Sequence, residues 1–398
     1  MPIPGARRAK AWAAAHLDMW KLGRQGRRHF RGDARYDLRN VTEGFRSRID
    51  EQADDARLIE RICTAYAKAK QREANAPPAV CDTASWRRLR EGSLRPFSRA
   101  LQAGNVSALQ TMLRNFYRDP CSSGLLAPPH GMAKAYFRGR IRDIYRHFYL
   151  SHVLYRFDYW KTVTNNQFTE KELAGPGAGN PFGVVIDGTH IAVGAEYAHY
   201  CAQRVLGLLA QSSSERPVAM EIGGGFGAIA YFLLRNGRPA TYVNCDMPER
   251  LALSAYYLFR SFPERHFVLY GESELSPATI SRTDAVFVPA FDLDALAAQA
   301  ADVAFSSVAM QEHSLEGLRD LLRQMGRIVR HSLLFIENQR TSEALAQIIG
   351  QDHPAFTLAD RRLSDWHTRG ISGAGRPDIS GAAGSSLVEQ NFSHNLAG

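Results

Sequence analysis

Cysteine is scarce in this sequence, with five residues in 398, at Cys63, Cys81, Cys121, Cys201 and Cys245. An odd, scattered set with no Cys-x-x-Cys excludes a zinc-ribbon spacing and a disulfide framework, and it fits reduced thiols in a cytoplasm. Long apolar runs are missing too. No stretch reaches the roughly 18 consecutive apolar residues of a spanning helix. The first residues, with Arg7, Arg8, Lys10 and Trp12, lack the apolar core of an export signal. A soluble, cytoplasmic protein is therefore expected. No carboxylate pair has a spacing that demands a divalent ion, which leaves metal dependence open.

Acidic charge is thin near the start. Residues 1–50 hold twelve Lys and Arg against five Asp and Glu, a surplus of seven out of a net charge of +9. Such an arm can attract nucleic acid, an anionic membrane surface or a phosphorylated substrate, or it can be a solvated terminus. With 45% hydrophobic and 10% aromatic residues the chain can bury a substantial core. Its length suits two domains, or one domain with a large extension.

Apolar periodicity predicts helices over 7–22, 49–74, 97–117 with a break at Gly104, and 131–162. Gly23 to Arg35 is too rich in Arg and Gly to be expected to pack well. From Tyr145 to Trp160 aromatic and basic residues interleave, which reads first as a domain-packing face and second as a stacking or substrate wall. Periodicity then lapses through a Gly/Pro-rich stretch, a candidate lid. After a helix over 194–210, strands are expected at Val218–Ile222, Thr241–Cys245, Asp284–Val288, Val303–Ser307 and Ser332–Ile336, with helices near 226–236, 248–261, 292–299 and 315–329. Two further strands are expected at 355–363 and 387–392, flanking a Gly/Ser-rich stretch near 370–386. The division is thus a basic, mostly helical region over 1–165, a loop over 166–193, and an α/β domain over 194–398 with a parallel sheet.

The chain is organised around Val218 to Gly227, Val-Ala-Met-Glu-Ile-Gly-Gly-Gly-Phe-Gly. A buried strand runs into a glycine turn and then a helix. Gly223, Gly225 and Gly227 let the backbone turn tightly and approach a ligand. Glu221, at the strand end, is the wrong charge for phosphate and suits an ammonium or a hydroxyl. Gly223, Gly225 and Ala228 also satisfy the dinucleotide pattern Gly-x-Gly-x-x-Gly/Ala. Asp246 closes the second strand about 20 residues on, where a nucleoside-binding fold places an acid on the ribose hydroxyls, with Met247 beside it. Gln311, Glu312 and His313 follow the fourth strand, at the end where open parallel sheets bind ligands. A histidine near neutral pKa suits proton removal, so His313 is the first candidate base and Glu312 the second. His190, Glu196, Tyr197, His199, Tyr200, Glu337 and Asn338 are lesser candidates.

The Glu-x-Gly-x-Gly-x-Gly pattern resembles the first motif of the class I S-adenosylmethionine-dependent methyltransferases, and Cys-Asp-Met-Pro-Glu resembles the Asp-x-Pro of many small-molecule O-methyltransferases. The resemblance implies a Rossmann-like fold, S-adenosylmethionine as cofactor, Glu221 toward its amino group, Asp246 toward its ribose, and Phe291 and Asp292 toward its adenine. More narrowly, Gly179 to Gly183, Glu221 to Gly227, Asp246 to Glu249 and Met310 to Ser314 resemble the sugar O-methyltransferases of bacterial polysaccharide and glycosylated-antibiotic pathways. That implies a sugar hydroxyl as acceptor, on a nucleotide-linked or lipid-linked glycan whose phosphates meet the basic arm. The alternatives are an NAD-dependent oxidoreductase, and a methyltransferase-like protein that binds or methylates RNA. A basic tail alone gives affinity rather than specificity, so nucleic acid is the less favoured partner.

Overall fold

The computed structural model describes residues 4–51, 54–76, 83–126, 143–235, 240–364, 366 and 387–395, with side chains from His16 onward apart from Asp18, Asp143 and Ile144. Helices α1 (Pro4–His29), α2 (Leu38–Gly44), α3 (Ala56–Glu73), α4 (Ala84–Glu91), α5 (Arg95–Gln102), α6 (Val106–Leu113) and α7 (Asp143–Val163) lead into a hairpin of β1 (Gly183–Ile186) and β2 (Thr189–Ala192). The alternating part follows: α8 (Ala195–Leu209), β3 (Val218–Ile222), α9 (Ala228–Arg235), β4 (Thr241–Asp246), α10 (Pro248–Ser261), β5 (Phe267–Val268), α11 (Pro277–Ser281), β6 (Ala285–Pro289), β7 (Ala301–Ser307), α12 (Leu315–Ile328), β8 (Val329–Asn338), α13 (Gln339–Asp352), β9 (Phe356–Ser364) and β10 (Leu387–His394). Residues 131–142 of the expected long helix, and the 370–386 stretch, lie outside the described residues.

The strands form one eight-stranded sheet in the order β5-β6-β4-β3-β7-β8-β10-β9. Its pairs are parallel except those of β10, which runs antiparallel to both β8 and β9. This is the expected α/β architecture, a Rossmann-like sheet with a mostly helical N-terminal extension. From β3 the chain winds outward through β4 to β6 and then crosses to β7 on the other side. The crevice at a reversal of this kind lies at the C-terminal ends of β3 and β7, where such sheets bind ligands.

Strand periodicity splits the core in two. Met220, Ile222, Val243, Cys245, Val286, Val288, Leu333 and Phe335 face α12 and α13. Ala219, Tyr242, Phe287, Phe305 and Leu334 belong to a cluster that continues through α8, α9 and α10 into the N-terminal helices, as far as Met19. Glu221, Asn244 and Asp246 share the parity of this second face. The site's polar groups therefore lie on the side that the extension covers.

Several expectations are corrected. Gly23 to Arg35 does pack: α1 continues to His29 because Gly23 and Gly26 let it lie against α7, and a methyl group at Gly26 would fall on the Ser151 hydroxyl. The 292–299 helix is only a 3-10 turn, Leu293–Ala295, because the Asp292 side chain makes no cap bond and is drawn to Arg72 and Tyr270. Helix α13 was not foreseen; Asn338, weighed as a ligand, is its N-cap and accepts from Thr341 N at 2.9 Å. The stretch before α8 contains the β1–β2 hairpin, with Phe182, Val184 and Ile186 buried. As expected, Gly104 breaks the 97–117 helix, and Asn105 caps α6 by accepting from Ala108 N at 3.1 Å.

Two buried carboxylates fasten the extension to α10. Asp55, 1% exposed, accepts from Arg114 Nε at 2.9 Å and Tyr256 OH at 3.1 Å, with Arg260 Nε at 3.5 Å. Glu249 accepts from Tyr66 OH at 3.1 Å and faces Arg90 Nε at 3.5 Å. Removing one partner of such a set strands the others without a countercharge, which typically costs about 3–5 kcal/mol. Asp55→Ala is accordingly expected to lower unfolding stability by about 3 kcal/mol. Urea denaturation of the full chain followed by tryptophan fluorescence would check this, and an unchanged midpoint would contradict the fastening role.

Candidate functional site

The turn after β3 is built on left-handed backbone, with φ of +80° at Gly223, +59° at Gly225 and +91° at Gly227, a region side chains rarely tolerate. Space is as restrictive as conformation. A methyl at Gly223 would collide with the Ala309 side chain just beyond β7, and one at Gly224 would lie 2.5 Å from Asn244 Oδ1 and 2.6 Å from Tyr242 OH. The middle glycine of the run is needed because β4 places two polar side chains directly beneath it.

Glu221 is 2% exposed, and its Oε2 accepts from Tyr242 OH at 2.5 Å. Burial pushes its pKa up to about 8 against the opposing hydrogen bond from Tyr242, and the charge of Asp246 adds to the rise. Asp246 is held by backbone: Gly225 N donates to Oδ2 at 2.8 Å and Met247 N to Oδ1 at 2.7 Å. Burial raises its pKa too, opposed by Arg250 and those two N–H groups. The expected cofactor residues Glu221, Gly223, Gly225, Gly227, Asp246 and Met247 are thus brought together across adjacent strand ends. Leu125 of the N-terminal region reaches over the turn and would lie 3.1 Å from a methyl at Gly225.

Phe291 and Asp292 follow β6, joined to the Asp246 end by Ala290 N donating to Asp246 O at 3.0 Å. The Asp292 carboxylate is already engaged, by Arg72 Nε at 2.8 Å from α3 and by Tyr270 OH at 2.5 Å. The helical extension therefore touches the far end of the crevice as well as its glycine turn.

Beyond β7 the backbone is strained. Val308 has a φ of +62°, an outlier for a β-branched residue, between Ser307 and the Ala309 that abuts Gly223. A 3-10 turn, Met310–Glu312, follows; Glu312 is exposed, His313 ends the turn, and Ser314 caps α12 by accepting from Gly317 N at 3.2 Å. Under this turn lies Glu337 of β8, fully buried, accepting from Met310 N at 3.0 Å and Ser306 Oγ at 3.4 Å. Burial lifts its pKa to about 7 against those hydrogen bonds.

The lesser candidates divide. Tyr197 OH is 2.7 Å from Ser307 Oγ, at the crevice end of β7. Tyr200 OH donates to Glu389 at 2.6 Å, His199 Nδ1 accepts from Trp160 Nε1 at 3.2 Å, and His190 Nε2 lies 3.2 Å from Gly44 O. Those three are engaged in packing contacts. Glu196 is buried, which raises its pKa, with Arg156 opposing. The Gly179–Gly183 motif also ties structure together: Asn180 accepts from Arg48 N and donates to Asn115, at 2.8 Å each. Sequence reasoning passed over Tyr242 and Asn244, although polar residues at alternate positions of an otherwise apolar strand, continued by Asp246, mark one face. Among the described residues no group of three His, Cys, Asp or Glu side chains could hold a metal, and no helix is long and apolar enough to cross a membrane.

The raised pKa of Glu221 has a thermodynamic signature. A carboxyl whose folded pKa lies above its ordinary value of 4.5 stabilises the fold fully below that pH, and the contribution is lost as pH rises through about 8. The unliganded protein should therefore lose melting temperature between these limits, and Glu221→Gln should flatten the decline. Parallel pH profiles for the two proteins would expose a wrong assignment.

No family model matches the chain, and no curated protein does. Among solved structures it is similar to magnesium protoporphyrin IX methyltransferase from Synechocystis PCC 6803 with bound SAM, at 10% identity over 50% of this chain and 81% of that one, with a TM-score of 0.33. It is also similar to geranyl diphosphate methyltransferase in complex with SAM, at 8% identity over 49% and 85%, with a TM-score of 0.35. A third likeness is to TrmN from Thermus thermophilus, at 15% identity over 49% and 48%, with a TM-score of 0.32.

Proposed function

We propose that the protein is an S-adenosylmethionine-dependent O-methyltransferase acting on a sugar hydroxyl. One observation carries the cofactor assignment: a buried carboxylate, Glu221, beneath a three-glycine turn whose N–H at Gly225 holds a second carboxylate, Asp246. Glu221 meets the ammonium of the methionine moiety and ionises on doing so. Asp246, fixed by two N–H groups, offers its remaining lone pairs to the ribose diol. Phe291 packs on the adenine, with Asp292 at its polar edge. When bound, the sulfonium supplies an electrophilic methyl group. The chain's part is to align the acceptor oxygen in line with it and to take the hydroxyl proton, a task assigned to His313 with Glu312 as the second candidate.

The sugar acceptor rests on the resemblance carried by Gly179 to Gly183 and Met310 to Ser314; beside the end of β7 lies a packed aromatic cluster, with Trp366 and Tyr200 buried. Trp366 lies 5.0 Å from Tyr159, 5.6 Å from Tyr197 and 5.3 Å from Tyr200, ring to ring, with the Arg156 guanidinium over its face at 5.3 Å.

Calorimetry tests the cofactor. S-adenosylmethionine is expected to bind with micromolar affinity and NADH not to bind. Glu221→Gln and Asp246→Asn should each weaken binding about tenfold or more, the loss of a charge-assisted hydrogen bond. Because Glu221 starts with a pKa of about 8 and the ligand's cation lowers it, binding at neutral pH should release protons, read as a dependence of the heat on buffer ionisation. Binding of NADH alone would turn the assignment toward an oxidoreductase.

The base is tested separately. His313→Ala should lower turnover about 10²-fold or more, the usual contribution of general-base assistance, while S-adenosylmethionine affinity stays within twofold or so. Unchanged turnover would move the base to Glu312 or elsewhere.

A further inference from the structure

The C-terminal turns of α1 carry Arg24, Arg27 and Arg28, and Arg31 follows two residues past the helix end, an i, i+3, i+4, i+7 series that falls on one side. The four are exposed and line a groove of about 670 Å³ together with Tyr36 and His147. Among the described residues none of the four has an ion-pair partner. The groove's one carboxylate, Asp33, is taken by Arg35 at 2.6 Å, and Arg35 also holds Asp158. One wall is aromatic: Phe30 stacks on Tyr36 at 5.7 Å and Tyr36 on His147 at 5.9 Å.

Dipole complementarity explains basic residues in the last turn of a helix, but Arg24 lies before that turn and Arg31 beyond it. Like charges at i, i+3 and i, i+4 repel, so this face is held at a cost to the helix. The volume is that of a small-molecule site. Four of the twelve Lys and Arg in residues 1–50 line the groove, in a segment that holds seven of the nine net positive charges. A nucleic-acid track needs a basic stripe that continues along the surface. A compact ligand with several negative charges fits better, and guanidinium forks match phosphate oxygens in pairs.

We infer that this groove binds the diphosphate group of a nucleotide-linked or lipid-linked molecule, two arginines to each phosphate, with the aromatic wall beside whatever the diphosphate carries. The site is independent of methyl transfer, and its failure would leave the cofactor assignment standing.

The test is calorimetry on the full chain with inorganic pyrophosphate, UDP, and phosphatidylcholine vesicles carrying geranylgeranyl diphosphate, beside a control titration with S-adenosylmethionine. Pyrophosphate is expected to bind with a Kd below about 100 μM in about 50 mM salt and to weaken steeply by about 200 mM. The variant R24Q/R27Q/R28Q/R31Q should lose about tenfold or more in pyrophosphate affinity, and the gentler R27Q/R31Q a smaller part of it, with melting temperature equal or higher and the control titration unchanged. UDP binding tighter than pyrophosphate would identify a nucleotide source; selective retention by the diphosphate-bearing vesicles would identify a lipid source. Equal pyrophosphate affinity in the wild type and the quadruple variant would overturn the inference. So would a single-stranded RNA that binds while pyrophosphate and UDP do not.

Discussion

The constraint on which the site depends is a carboxylate buried at the end of the central strand. Glu221 cannot stay there without a donor, and Tyr242 on the neighbouring strand supplies one. That hydroxyl takes up the room under Gly224, so the turn above must lack a side chain. Asn244, next on the same face, completes the floor and donates to Ser254 on α10 at 2.7 Å. α10 is in turn fastened through Asp55 and Glu249 to the helical extension. Separate polar contacts on β4 and α10 thus tie the glycine turn and the N-terminal region to the same two elements, on the sheet face where their apolar packing is also continuous.

The extension consequently belongs to the crevice as much as to the outside. Leu125 covers the glycine turn, Arg72 engages Asp292, and α7 supplies Tyr159 and Arg156 to the aromatic cluster. A cofactor and an acceptor entering this crevice would meet residues from both halves of the chain. The strained Val308 sits where β7, the glycine turn and Tyr197 converge, a place where unfavourable backbone is tolerated because its neighbours hold it.

Much of this was legible in the sequence wherever period and punctuation agreed. The five central strands, the glycine turn, the Asp246 strand end and the Asn105 cap follow from apolar alternation, glycine clusters and capping residues acting locally. What escaped depended on partners distant in sequence. Helix α1 outlasts its arginines and glycines only because α7 offers a surface close enough to need those glycines. Asp292 fails to start a helix because Arg72, 220 residues earlier, competes for its carboxylate. Tyr242 was read as one more strand residue, since its role appears only once β3 and β4 are set side by side. The Gly179–Gly183 motif falls in the stretch that reads as a candidate lid, yet the Asn180 side chain is spent on Arg48 and Asn115.

The reversed strand β10 bears on how the molecule is made. β9 precedes it in the chain but lies beyond it in the sheet, so β9 joins the sheet only through β10, which pairs with β8 in the register Leu387 to Asn338. During synthesis, β8 would present an open edge carrying Leu333, Leu334, Phe335 and Ile336 for as long as the intervening residues are being added. An unpaired apolar edge is a template for association with other chains. The growing polypeptide thus passes through an interval in which its half-built sheet depends on being shielded, and that interval closes only once β10, later in the chain than both its neighbours, covers the β8 edge.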